Sequence, residues 1–148
     1  MAITVPDTKV TRSTVYKEAG DARYEEAKYL ADAHPSGAIY LAGYLIECYL
    51  RWAICERNSV RCLQDLPDRE LADTLTSGRG HNLEMLCRVS RYDRHFEADH
   101  FVRRAFQIVA SWSPNVRYIR KCGGRREAAQ FLAAVRILRA DISAWAYN

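Results

Sequence analysis

A chain of 148 residues with 49% hydrophobic and 27% charged side chains has the composition of one ordinary globular domain, long enough to bury a core without disulfide staples. Its five cysteines (Cys48, Cys55, Cys62, Cys87 and Cys122) are odd in number, form no CxxC pair and join no His cluster, which argues against a disulfide framework and a structural zinc and for a reducing, cytoplasmic setting. The formal net charge is +4, yet residues 79–126 hold 11 basic and 4 acidic side chains, a local excess of +7 that suits a polyanionic partner or, more plainly, a solvated basic surface.

In chain order, residues 1–12 read as a loose arm. Ser13 or Thr14 can cap a helix running to about Ala33, with Tyr16, Ala19, Ala22 or Arg23, Ala27 and Leu30 at helical spacing and charges on the opposite face. His34-Pro35-Ser36-Gly37 interrupts the chain, and Ser36 is placed to cap a second helix from about Gly37 to Arg57. So short a connection makes the two helices antiparallel neighbours. The second helix is apolar on almost every side, so it is predicted at the centre of a bundle. Its apolar run is broken by Glu47 and Arg51, and the start MAITVPDTKVTR lacks a secretory apolar segment; neither a membrane span nor a signal peptide is expected.

Pro67 opens a short predicted helix, Asp68 to Leu75, and Ser77-Gly78-Arg79-Gly80 is a loop. The next helix starts near His81 and carries Leu83, Leu86 and Val89 towards Tyr92. A further helix from about Glu97 to Ser111 carries Phe101, Ala105, Ile108 and Val109, with Trp112 just beyond it. Ser113-Pro114-Asn115 interrupts, Arg117 to Cys122 is a short basic piece, and Gly123-Gly124 is a turn. The last helix, Arg125 to about Tyr147, is periodic in Ala128, Phe131, Leu132, Val135, Leu138, Ile142 and Trp145. No alternating strand pattern or internal repeat follows the arm. The expectation is one all-α domain over residues 13–148, an up-and-down antiparallel bundle of four to five helices.

Three places carry polar chemistry. On the second helix Tyr40, Tyr44, Glu47 and Arg51 share a face, and glutamate four residues before arginine favours an ion pair. A carboxylate inside an apolar helix needs a partner, because an unpaired buried charge costs several kcal/mol. Two readings stand open: a structural pair at a helix or subunit interface, or a carboxylate orienting a catalytic or phosphate-binding arginine from elsewhere. His81 lies at a helix start, where backbone N–H groups can receive an anion, or where the histidine simply satisfies a loop carbonyl. The segment Trp112 to Tyr118, followed by Arg120, Lys121 and Arg125, sets arginines near aromatic rings, an arrangement that grips nucleotides by stacking and phosphate contact and also one that merely packs arginine stems.

The order of the AIYLAGYLIECYLRW helix with its internal Glu47, then GHNLEML at residues 80–86, then W-x4-RY from Trp112 to Tyr118 and a long final helix resembles the HEPN superfamily of small helical domains over about residues 15–145. The resemblance implies a dimerising bundle that works on RNA or nucleotides, with relatives that are metal-independent ribonucleases of toxin–antitoxin or defence systems and others that bind nucleotides or pair with a small nucleotidyltransferase. On the reading of a nucleic-acid- or nucleotide-binding domain, Arg117, Arg120, Lys121 and Arg125 make phosphate contacts, Glu47 holds one arginine by a charge-assisted bond, and Arg51, His81 and Tyr118 belong to the same binding site. The ribonucleases of the superfamily carry an arginine followed within four to six residues by a histidine, which pairs charge stabilisation with proton transfer. No histidine follows Arg117 in that window; Arg94 and His100 have the spacing and are the catalytic candidates if the chain is an enzyme. No metal or cofactor is called for. The leading expectation is a homodimeric RNA- or nucleotide-binding domain. The alternatives are an endoribonuclease toxin using Arg94 and His100, and a protein-interaction module that binds no nucleic acid.

Overall fold

The computed structural model of the protein describes residues 2–4 and 11–148. Seven α-helices form among them: α1 (Ser13–Leu30), α2 (Pro35–Arg57), α3 (Arg69–Thr76), α4 (Leu83–Ser90), α5 (Tyr92–Phe96), α6 (His100–Val109) and α7 (Arg125–Ala146), with 3-10 turns at Leu63–Asp65 and Pro114–Tyr118. The fold is all-α; no strand forms among the described residues, and one isolated antiparallel bridge joins Arg12 to Cys62. Most of the expected N-terminal arm lies outside the described residues.

The apolar sequence of α2 has the consequence expected of it. Fourteen of its residues are buried, on every side of the helix, including Glu47 and Arg51. By length and hydropathy α2 would pass for a bilayer-crossing helix, but 78% of its apolar window is covered by the protein itself, as in a core helix. α1 is antiparallel to it. Ser13 Oγ donates to Glu56 Oε1 at 3.2 Å at one end, and Leu30 packs beside Gly37 at the other. α7 runs in the same direction as α2: the Gly123 carbonyl ahead of α7 accepts from Ser36, and the Trp145 carbonyl near its end accepts from Arg57. Asp21, Tyr49 and Arg139 tie the three helices together, with Tyr49 Oη donating to Asp21 at 2.6 Å and Arg139 reaching the same carboxylate at 2.7 Å.

Several local expectations change on contact with tertiary structure. The buried face of α1 is Tyr16, Gly20, Tyr24 and Ala27, while Ala19 and Ala22 stay exposed. Gly20 decides this: a Cβ there would lie 3.1 Å from the Cys48 Cβ, so the glycine lets the two backbones approach. Ser36 does not cap α2. Pro35 already occupies the first turn, where a missing N–H costs nothing, and the Ser36 hydroxyl instead receives the Cys122 N–H at 3.1 Å and donates to the Gly123 carbonyl at 3.3 Å. The helix expected from His81 to Tyr92 ends at Ser90, because Arg91 adopts a left-handed conformation (φ 64°), and α5 begins after it. α6 buries Val102, Ala105, Phe106 and Val109; Phe101 and Ile108, expected in the core, are exposed. All five cysteines are free, and burial pushes the Cys55 and Cys87 thiols up to about 12.

One contact sets the position of the chain after α6. The Trp112 ring lies against Gly43 of α2 so closely that a Cβ at Gly43 would sit 2.1 Å from a ring atom. Gly43→Ala gains about 1 kcal/mol of helix propensity but must displace a buried tryptophan, whose packing is worth about 3–5 kcal/mol. We expect a net loss of about 2 kcal/mol and a fall in Tm of several degrees. Gly78→Ala, with nothing within 4 Å of the added methyl, should melt close to the parent in the same thermal scan.

Candidate functional site

Glu47 and Arg51, one turn apart on α2, are each 5% exposed. At that depth the cost of removing two charges from water must be met by direct partners. Arg51 uses its whole guanidinium: Nε donates to Glu47 Oε1 at 3.1 Å, Nη1 to the Leu75 carbonyl at 2.5 Å and Nη2 to the Gly80 carbonyl at 2.7 Å. Leu75 lies in the last turn of α3, where carbonyls lack intrahelical partners and the dipole is negative, so the cation closes that helix from within. The guanidinium carbon also stands 5.9 Å from the Tyr16 ring centroid. Burial holds the Tyr16 phenol above its ordinary range, opposed by Arg51. Gly80 is required here, since a Cβ would meet the Leu75 carbonyl oxygen at 2.4 Å and Arg51 Nη2 at 2.8 Å.

The carboxylate has a second partner, and it is not an arginine from elsewhere. His81, in the loop before α4, places Nδ1 2.9 Å from Glu47 Oε1. A carboxylate paired with a guanidinium only accepts, so Nδ1 carries the hydrogen; whenever the ring is neutral, Nε2 is left as the acceptor. Glu47 Oε2 is buried and takes no hydrogen bond among the described residues. The His81 side chain remains 42% exposed. It lines both a small cavity of about 280 Å³ beside Tyr16 and Cys48 and a larger cleft of about 700 Å³.

Arg79, His81 and Asn82 line the larger cleft from the loop before α4, Tyr44 from α2, and Trp112 and Arg117 from the segment after α6. Trp112 is fixed by its ring on Gly43, by Nε1 donating to the Tyr40 carbonyl at 3.2 Å and by an edge contact with Tyr44 at 4.9 Å between centroids. Burial, then the hydrogen bond with Tyr40, raises the Tyr44 phenol well above its usual range. Ser113 Oγ accepts from the Asn115 N–H and starts the 3-10 turn that carries Arg117. Arg117 is exposed, its guanidinium carbon 4.8 Å from the Tyr118 ring centroid, and hydrogen bonding first to Tyr118 and then to Tyr40 reinforces its charge. Asn82 accepts the Met85 N–H at 2.9 Å, so part of the expected anion-receiving helix end is taken by its own cap.

The structure therefore brings Glu47, His81 and Arg117 to one place, joins to them Tyr44 from the polar face of α2 and Trp112 from the aromatic-flanked segment, and adds Arg79 and Asn82, which the sequence reading had not named as binding residues. Arg79 had a visible signal, an arginine between two glycines beside His81; Tyr44 and Trp112 meet only through tertiary packing. Arg51 is buried and fully engaged, so its role is to build the site rather than to touch a ligand. Tyr118 is 75% exposed, lies against the Arg117 guanidinium and does not line the cleft. Arg120 and Lys121 line a separate hollow of about 530 Å³ beside His34 and Pro35, and Arg125 donates to the Asp32 carbonyl at 2.9 Å. Arg94 and His100 lie on α5 and α6, both exposed; no hydrogen bond, ion pair or ring contact joins them, and neither lines the cleft. No group of three or more metal-ligating side chains occurs among the described residues. No protein-family model, curated protein or solved structure matches the chain.

Breaking the buried pair from either side leaves a charge without its partner. Arg51→Met should cost about 3–5 kcal/mol in urea unfolding. The double variant Glu47→Leu/Arg51→Met should lose less than the two single changes together, and that positive coupling is the signature of the pair.

Proposed function

We propose that the chain is a HEPN-like RNA- or nucleotide-binding domain and that its binding site is the cleft between the loop before α4 and the turn after α6. The observation that carries this reading is the juxtaposition of Arg79 and Arg117 with His81, Tyr44 and Trp112 around about 700 Å³. Guanidinium groups suit phosphate, and aromatic rings beside them suit a base or sugar. The volume falls within the usual range for small-ligand sites. In this proposal Arg120 and Lys121, beside the start of α2 through the Ser36–Cys122 hydrogen bond, and Arg125 add phosphate contacts for a longer strand.

On the same reading the helices form an up-and-down bundle with four to five principal members, the protein is cytoplasmic, and it serves a toxin–antitoxin or defence system beside a nucleotidyltransferase partner. A homodimer belongs to this proposal. It is supported by the apolar groove that Phe101, Ile108 and Ile137 leave open on α6 and α7, which a second copy or another protein would cover. That groove is also what favours the interaction-module alternative.

Binding should be salt-dependent. In fluorescence anisotropy with labelled decauridylate, Arg79→Ala and Arg117→Ala should each weaken affinity and each lower the slope of log K against log salt by about 0.7. Equal affinity in the double variant, together with indifference to salt, would remove the proposal.

The enzymatic alternative has one observation in its favour. The turn between α5 and α6 puts Arg94 and His100 on separate helices, which frees them from the divergence that one continuous helix would impose. An active ribonuclease of this kind should cut RNA in excess EDTA and lose that activity in His100→Ala, read on a denaturing gel.

A further inference from the structure

His81 differs from the other polar groups of the cleft in what it offers a ligand. Arg79 and Arg117 only donate hydrogen bonds. The Asn82 side-chain oxygen is committed to the α4 cap, and Trp112 Nε1 to the Tyr40 carbonyl. Ser111, Ser113 and Tyr44 carry hydroxyls, and Asn115 a side-chain amide, that turn to suit either role, so none of them is held to accept. Glu84 also lines the cleft and accepts, but its charge repels a phosphate placed beside it. In the neutral form of its ring, His81 is an acceptor held in one orientation. Its Nδ1 hydrogen is spent on Glu47, which Arg51 holds in turn, and Nε2 has no hydrogen-bond partner among the described residues.

A ligand matched to this arrangement needs an anion for the guanidinium groups and, close to it, a hydroxyl that donates. A ribonucleotide has both, because the 2′-hydroxyl neighbours the 3′-phosphate and is the group that distinguishes RNA from DNA. We propose that His81, oriented by Glu47, accepts a hydrogen bond from the ribose 2′-hydroxyl of a nucleotide whose phosphate lies against Arg79 or Arg117, so that the cleft selects RNA over DNA. The inference rests on the cleft being a nucleotide site, and it adds the group that decides which sugar is held. His81 here is a specificity residue, and no bond is made or broken.

The test compares three labelled oligomers on the intact protein: decauridylate, its deoxy counterpart and its 2′-fluoro counterpart. Fluorine preserves the sugar pucker of RNA but donates no hydrogen, so the third oligomer separates shape from the hydrogen bond. One neutral hydrogen bond corresponds to a preference of about three- to tenfold. The unmodified RNA should bind tighter than both analogues by that factor. In His81→Ala the affinities of the three oligomers should converge. Equal binding of RNA and 2′-fluoro RNA by the unaltered protein would overturn the inference without recourse to any variant and would leave the nucleotide site standing. Discrimination that persists in His81→Ala would overturn it as well. Failure of all three oligomers to bind would sink the nucleotide site itself.

Discussion

Glu47 and Arg51 meet in the middle of the most apolar helix of the protein, and three parts of the chain are tied to that meeting. Through Arg51 the end of α3 and the Gly80 carbonyl are drawn onto α2; through Glu47 the imidazole of His81 is held in one orientation. The pair thus serves as the mount for one wall of the cleft. Its burial separates it from the surface pairs Arg23–Glu26 and Lys28–Glu25, whose side chains are about half exposed and whose contribution is of the order of 0–1 kcal/mol. A surface pair can be lost with little consequence. Loss of either partner at the centre leaves a buried charge without its ion pair beside Tyr16, Cys48 and Leu75.

The opposite wall is built by packing. Trp112 meets no charged partner among the described residues; it is placed because Gly43 leaves room for its ring and because Tyr40 and Tyr44 supply a carbonyl and an aromatic edge. A glycine inside a helix gives up about 1 kcal/mol of propensity, and close approach of a large ring is the compensating gain. α2 therefore supports both walls from neighbouring turns, with Tyr44 between Gly43 and Glu47 in sequence and in the cleft between Trp112 and His81.

Charge is arranged on this frame by depth. The guanidinium that is fully engaged, Arg51, shapes the site, while the exposed ones, Arg79 and Arg117, remain able to meet an anion. Arg79 rides on a loop flanked by glycines and Arg117 on a single 3-10 turn, both anchored at their bases by buried contacts. Such a design keeps the binding groups adjustable while their attachment points are rigid.

Helical class was readable directly from the chain. Periodicities of α2 and α7, the breaks at Pro35 and Gly123-Gly124, and the demand of Glu47 for a nearby cation all follow from local chemistry, and each has its counterpart in the fold. What the chain alone did not reveal was which face of α1 and of α6 turns inward, because Ala19 and Phe101 satisfy helical spacing as well as Gly20 and Phe106 do. It also did not reveal that Ser36 would serve the Cys122–Gly123 turn instead of its own helix, or that the partner of Glu47 from outside α2 would be a histidine. Residue type and spacing determine what a segment can bury or bond. Which available partner it takes is decided by contacts between residues 34 to 86 positions apart, such as Glu47 with His81 and Ser36 with Cys122, and those exist only once the helices have closed around α2.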